Sequence, residues 1–189
     1  MSYQYDVFIS YKRGGLYGDW VHDVFKDLFQ AHLNQCLDWD AKIFIDVDNI
    51  QTGDAWPKHL QNALADSKCL LGIWSPQYFR STWCQYECSV MLDRGQNLII
   101  PISLHDGKRF PECVENIQRE NFNDFALSKT ALKVPKKRLK LEKKTNILAK
   151  ATADIIQHVP SWQNKYRENQ QINHSFHPQT RSSHIGLRT

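Results

Sequence analysis

At 189 residues, with 41% hydrophobic and 12% aromatic side chains, the chain suits one domain of ordinary size plus an extension. It has no apolar run of about eighteen residues, so a membrane span is excluded, and Met1–Asp6 lacks the basic-then-apolar pattern of a secretory leader. Five cysteines without framework spacing read as reduced thiols of a cytoplasmic protein, and the net charge of +4 is mild but unevenly spread.

Taken in order, the β-rich run Tyr5–Ser10 is the first predicted strand, and Tyr11–Gly18 follows as a loop broken by three glycines. Asp19 is placed as the cap of a helix whose apolar positions Val21, Val24, Phe25, Leu28, Phe29 and Leu33 repeat with helical period. Ile43–Ile45 is a second strand. It opens into a loop from Asp46 to Gly53, and a helix capped by Asp54 carries Trp56, Leu60, Ala63 and Leu64 on one face. Cys69–Trp74 is the third strand and Leu98–Ile102 the fourth, with Pro101 marking its end or a locally unpaired position. A short edge strand is placed at Arg119–Phe122.

From Lys133 to Lys144 the chain holds seven Lys or Arg against one acid, Glu142. The run is read as a solvated linker, not a nucleic-acid surface. Thr145 then opens a last helix stopped by Pro160, with Leu148, Ala151, Thr152, Ile155 and Val159 on one side. Residues 1–160 form the expected domain, and residues 161–189, polar and without periodicity, a flexible tail or linker. Strands alternating with helices predict an α/β fold: a doubly wound, five-stranded parallel sheet with helices on both faces. The continuous apolar strands at Cys69 and Leu98 fit burial on both sides.

Ser81–Glu87 is the stretch on which the other elements converge. Thr82 and Gln85 have capping-box spacing, so a helix starts here and ends at Gly95, with Trp83 and Glu87 one turn apart on one face. Glu87 is the only acid between Cys69 and Leu92, and a carboxylate in apolar surroundings is either solvated or kept for a purpose. Cys84 and Cys88 have half the spacing of a metal site, but no His/Cys pair completes it, so no metal is expected. In a sheet of order 2-1-3-4-5, ligands bind outside the carboxyl ends of strands one and three. That places Tyr11, Lys12, Arg13, Ser75, Trp83 and Glu87 at one crevice, beside Asp46 and Asp48. A cationic loop, an aromatic residue and a carboxylate together suit a ribose-bearing nucleotide.

These residues resemble the Toll/interleukin-1 receptor (TIR) domain family. Tyr5–Tyr11 is similar to its first signature box. Phe44-Ile45-Asp46, followed by Asp48, Ile50 and Gly53, is similar to the second box and its BB loop, and Trp83–Glu87 resembles the W-x-x-x-E segment of members that consume NAD⁺. The resemblance covers residues 3–159 and implies the flavodoxin-like sheet. It further implies NAD⁺ as substrate with no cofactor, and cleavage of the nicotinamide–ribose bond to ADP-ribose or a cyclic ADP-ribose, in defence or signalling. Glu87 would be catalytic, with Trp83 walling the pocket and Lys12 and Arg13 near the phosphates. Ile50 and Gly53 would belong to the loop used in assembly, the partners being other TIR domains in a homo-oligomer or head-to-tail filament, and a separate sensor protein. The alternative within the family is a non-enzymatic adaptor acting through TIR–TIR contacts. A dinucleotide-binding dehydrogenase is disfavoured because Arg13 stands where G-x-G-x-x-G needs its first glycine, and a phosphoacceptor domain because Tyr11-Lys12-Arg13 replaces the paired acids.

Overall fold

The computed structural model describes residues 3–46, 58–107, 110–125, 132 and 134–160. The elements in order are β1 (Tyr5–Tyr11), α1 (Gly15–Trp20), a π-helical turn (Val21–Phe25), α2 (Lys26–Asn34), β2 (Ile43–Ile45), α3 (Lys58–Ala65), β3 (Ser67–Trp74), α4 (Thr82–Arg94), β4 (Ile99–Ser103), α5 (Glu112–Glu115), β5 (Glu120–Asn121) and α6 (Pro135–His158). All the strand pairings are parallel and the order is β2-β1-β3-β4-β5, the predicted flavodoxin-like topology.

β1 and β3 form the centre of the sheet, and their apolar side chains pack on both sides. On one side Val7, Ile9, Leu71 and Ile73 meet Phe25, Phe29 and Leu33, together with Leu141, Leu148 and Ala149 of α6. On the other, Phe8, Leu70 and Trp74 meet Ala63 and Leu64 of α3 and Cys84, Cys88 and Met91 of α4. Pro101 pairs across to Gly72 in β3, while the β5 register begins only at Ile102, so the missing N–H meets no β5 partner.

Two local expectations are corrected. The first helix starts at Gly15, not after Asp19, because positive φ at Gly14 (71°) and Gly15 (69°) reverses the chain within two residues. The basic run is not a linker: α6 starts at Pro135, and Thr145, placed at its start by the sequence, is buried in its middle. Lysine and arginine are good helix formers, and Pro135 at the first position needs no N–H partner. Leu141, Leu148, Ala149, Thr152, Ala153 and Ile156 set the buried face; Leu148 and Thr152 hold their predicted places, Ile155 is partly buried, and Ala151 is exposed while Ala149 and Ala153 face the core. Lys144 reaches Glu120 of β5 at 3.4 Å, and Arg138 pairs with Glu142 one turn on at 3.1 Å. No helix among the described residues is long and apolar enough to cross a membrane. Asp54, Trp56, Lys133 and residues 161–189 lie outside the described residues.

Candidate active site

The carboxyl end of β1 delivers Ser10 and Tyr11 to the mouth of the sheet, and α4 delivers Glu87 from its second turn. After β3, Ser75 turns the chain by accepting the Tyr78 N–H at 3.1 Å, and a single 3₁₀ turn, Tyr78–Arg80, leads to α4. The N-cap is Ser81, in extended conformation, and not Thr82. Its carbonyl receives the Gln85 N–H at 3.0 Å, while the Gln85 side chain donates back to the Phe79 carbonyl. The helix therefore begins within one residue of the place its sequence marks, though the capping box itself does not form.

Glu87 is 7% exposed. Ser10 Oγ donates to its Oε2 at 2.5 Å, and the Tyr78 hydroxyl lies 2.7 Å from the same Ser10 oxygen. Burial pushes the carboxyl pKa up to about 7, against the opposing pull of the Ser10 hydrogen bond and the Arg13 charge. Around it the Cys84 thiol is also driven upward by burial, and it donates weakly to the Tyr11 carbonyl at 3.4 Å. Cys84 and Cys88 are free and buried, and among the described residues no group of three or more His, Cys, Asp or Glu could hold a metal ion.

Tyr11 and Arg13 fasten the start of the loop after β2. The Tyr11 hydroxyl donates to the Asp46 carbonyl at 2.8 Å, so its 2.6 Å contact with His22 has the His22 Nε2–H as donor. His22 is supplied by the π-helical turn, whose wider bend brings the imidazole against the Tyr11 ring at 5.2 Å between centroids. Arg13 pairs with the Asp46 carboxylate. Asp46 is thus held by backbone and side chain together.

Of the residues expected at the crevice, the structure brings Tyr11, Arg13, Asp46 and Glu87 into one electrostatic neighbourhood. Lys12 is exposed beside them, and Trp83 is half-buried one turn before Glu87. Ser75 is buried, with its hydroxyl engaged in the turn before Tyr78. Asp48, Ile50 and Gly53 lie outside the described residues. Sequence reading did not assign Ser10, Tyr78 or His22. Ser10 had a signal, a lone hydroxyl ending the apolar run Val7-Phe8-Ile9; Tyr78 and His22 had none, since their roles come from partners 68 and 11 residues away. A separate cavity of about 310 Å³, lined by Asn121, Asp124, Phe125, Lys140 and Lys144, contains none of these residues.

A family model described as TIR domain matches residues 7–133. No curated protein matches the chain. Among solved structures, the chain is similar to the TIR domain of the Toll-related receptor TRR-2 from Hydra magnipapillata, with 20% identity over 75% of this chain and 98% of that one and a TM-score of 0.48. It is also similar to the TIR domains of the activated Roq1 resistosome, which directly recognises the pathogen effector XopQ, with 21% identity over 77% and 84% of the two chains and a TM-score of 0.41.

Proposed function

The chain belongs to the TIR-domain family, and from that premise we propose that it cleaves the nicotinamide–ribose bond of NAD⁺, with Glu87 as the catalytic carboxylate. One observation carries the reading: a carboxylate buried at the carboxyl end of the central strand, held by a hydroxyl at 2.5 Å with no cation in direct contact among the described residues. A carboxylate kept for structure is normally matched by a cation or several N–H groups. This one has a single hydroxyl in direct contact among the described residues, with Arg13 acting from farther off, at the end of the sheet where ligands of such folds bind.

The chemistry asks for such a group. As the bond from the ribose C1′ to the pyridinium nitrogen breaks, its electron pair leaves with nicotinamide, which departs neutral and needs no proton. The sugar left behind carries positive charge, and a fixed anion in a water-poor site lowers the energy of that state. Water then adds to C1′ and releases a proton, giving ADP-ribose; attack by a nitrogen of the adenine ring gives a cyclic product instead. Ser10 occupies Oε2, and Oε1 is assigned to the ribose hydroxyls. Trp83 would wall the pocket, and Lys12 and Arg13 would face the pyrophosphate, with Asp48 on the adjoining loop. We assign no resident cofactor or metal to this reaction. Other TIR domains, including further copies of this chain, are the proposed partners, with Ile50 and Gly53 in the assembly loop, and the cytoplasm, where NAD⁺ is abundant, is the proposed location.

The test is NAD⁺ consumption by the purified chain at high protein concentration, with products identified by mass, alongside Glu87→Ala and Glu87→Gln. Turnover by the wild type that drops at least about a hundredfold in both folded variants is expected. Wild-type protein that assembles but never consumes NAD⁺ would favour the adaptor reading. Turnover that survives Glu87→Ala would remove Glu87 from the mechanism.

A further inference from the structure

We propose that Ser10 is the positioning residue for Glu87, and that Tyr78, set in place by Ser75, fixes the direction in which the Ser10 hydroxyl points. The result is one buried hydrogen-bond chain, built from β1 and the turn that follows β3 and aimed at the carboxylate. The proposal deepens the reading of Glu87 as the catalytic group and rests on it for its kinetic consequence, but its geometry stands alone.

Proton accounting sets the direction of the chain. Ser10 has a single hydroxyl hydrogen, and at 2.5 Å from Oε2 that hydrogen belongs to the carboxylate. The 2.7 Å contact between Ser10 and Tyr78 must then have Tyr78 as donor. Both hydrogens point the same way, so each bond polarises the next and favours the anion. Every member is rigidly held. Ser10 is 1% exposed in the central strand, in register with Gly72 of β3. Tyr78 is fully buried, edge-on to Phe79 at 5.0 Å, and its backbone N–H is tied to Ser75 Oγ at 3.1 Å. Ser75, at the crevice mouth by sequence, thus reaches Glu87 through two intermediates.

Among the described residues the other titratable groups around Glu87 are Tyr11, Arg13, Tyr78, Cys84 and Cys88, with Lys12 acting on Cys84. Burial raises the Tyr11, Tyr78 and Cys84 ionisations, so these three stay neutral around neutral pH. Among the described residues Arg13 is the cation acting on the carboxylate, and it is already engaged by Asp46. Ser10 is therefore the stronger of the two influences that oppose protonation. Protonation of Glu87 at Oε1 would leave Oε2 a weaker acceptor for the Ser10 hydroxyl, and protonation at Oε2 would reverse the chain and turn the Tyr78 hydrogen away from the acceptor it now has.

The experiment is a carbon NMR titration of the Glu87 carboxyl, assigned with Glu87→Gln, in wild type, Ser10→Ala, Ser10→Thr and Tyr78→Phe. It is run beside the pH profile of kcat/KM for NAD⁺. Loss of a hydrogen bond to a charged group should move the Glu87 midpoint up by about one pH unit in Ser10→Ala. Tyr78→Phe should move it less in the same direction, and Ser10→Thr should restore it. In the kinetics, Ser10→Ala should lose several-fold at pH 7 and recover toward wild type by pH 9. An unmoved midpoint in Ser10→Ala, or a rate lowered equally at every pH, would overturn the proposal. The titration needs no turnover: a shifted midpoint in a protein that never consumes NAD⁺ would keep the chain and remove the catalytic reading.

Discussion

At the amino end of β1, Asp6 is 5% exposed and its carboxylate meets Lys68 Nζ at 2.7 Å, the Lys42 N–H at 2.9 Å and the Trp39 indole N–H at 3.2 Å. At the carboxyl end Glu87 is 7% exposed, and a neutral hydroxyl at 2.5 Å is its direct partner among the described residues. The two acids are equally buried and serve the same strand, so burial does not separate them. Their partners do. Asp6 is matched by a cation and two N–H groups, and it ties β1 to the segment before β2 and to β3. Glu87 holds a charge that its burial opposes, which is the reason a ligand-facing role is proposed for it and not for Asp6.

The largest expected contrast is in activity: Glu87→Gln abolishes NAD⁺ turnover, whereas Asp6→Ala leaves turnover per folded molecule unchanged. Stability should answer in reverse. Asp6→Ala strands the Lys68 ammonium and two N–H donors and should cost about 2–4 kcal/mol in denaturant unfolding. Equal stability losses at the two positions would break the comparison. A third contrast is in pH. The Glu87 carboxyl is raised from an ordinary 4.5 to about 7, so the folded protein binds the proton more tightly than the unfolded chain. Stability from this group is complete below the unfolded value and is lost as pH rises through the folded one, on the order of 3 kcal/mol in all. Glu87→Gln should flatten that slope, as read from unfolding curves between pH 4.5 and 8. Last and smallest, Gly15→Ala should cost about 1–2 kcal/mol from its φ of 69° alone, since its added Cβ meets no atom within 4 Å. A neutral Gly15→Ala in thermal unfolding would mean that the turn delivering Lys12 and Arg13 is not held as described.

Much of this frame was legible in the sequence, because it rests on local patterns. Apolar runs without alternation gave β3 and β4 as doubly buried strands, a β-rich run gave β1, and Glu87 stood out as the one acid between Cys69 and Leu92. What stayed hidden depends on distant partners. Asp6 attracted no attention at the head of its strand, though Lys68, its counter-ion, lies 62 residues away. Ser10 shows only as a lone hydroxyl after an apolar run, and Tyr78 not at all, until parallel pairing of β1 with β3 brings the end of one strand beside the turn that follows the other. The basic run misled because its charge resembles a linker, while its helical anchor is Leu141 and the apolar residues that follow.

The most direct test of the account is the rate of NAD⁺ cleavage from pH 5 to 9, measured with unfolding free energy on the same samples of wild type and Glu87→Gln. The expected result is a rate that climbs with pH while stability falls, both turning near pH 7, the carboxyl's raised value, with both trends gone in the variant. A rate that keeps its rise in Glu87→Gln, or a stability slope unchanged by it, would contradict the assignment of Glu87 as the buried, catalytic carboxylate.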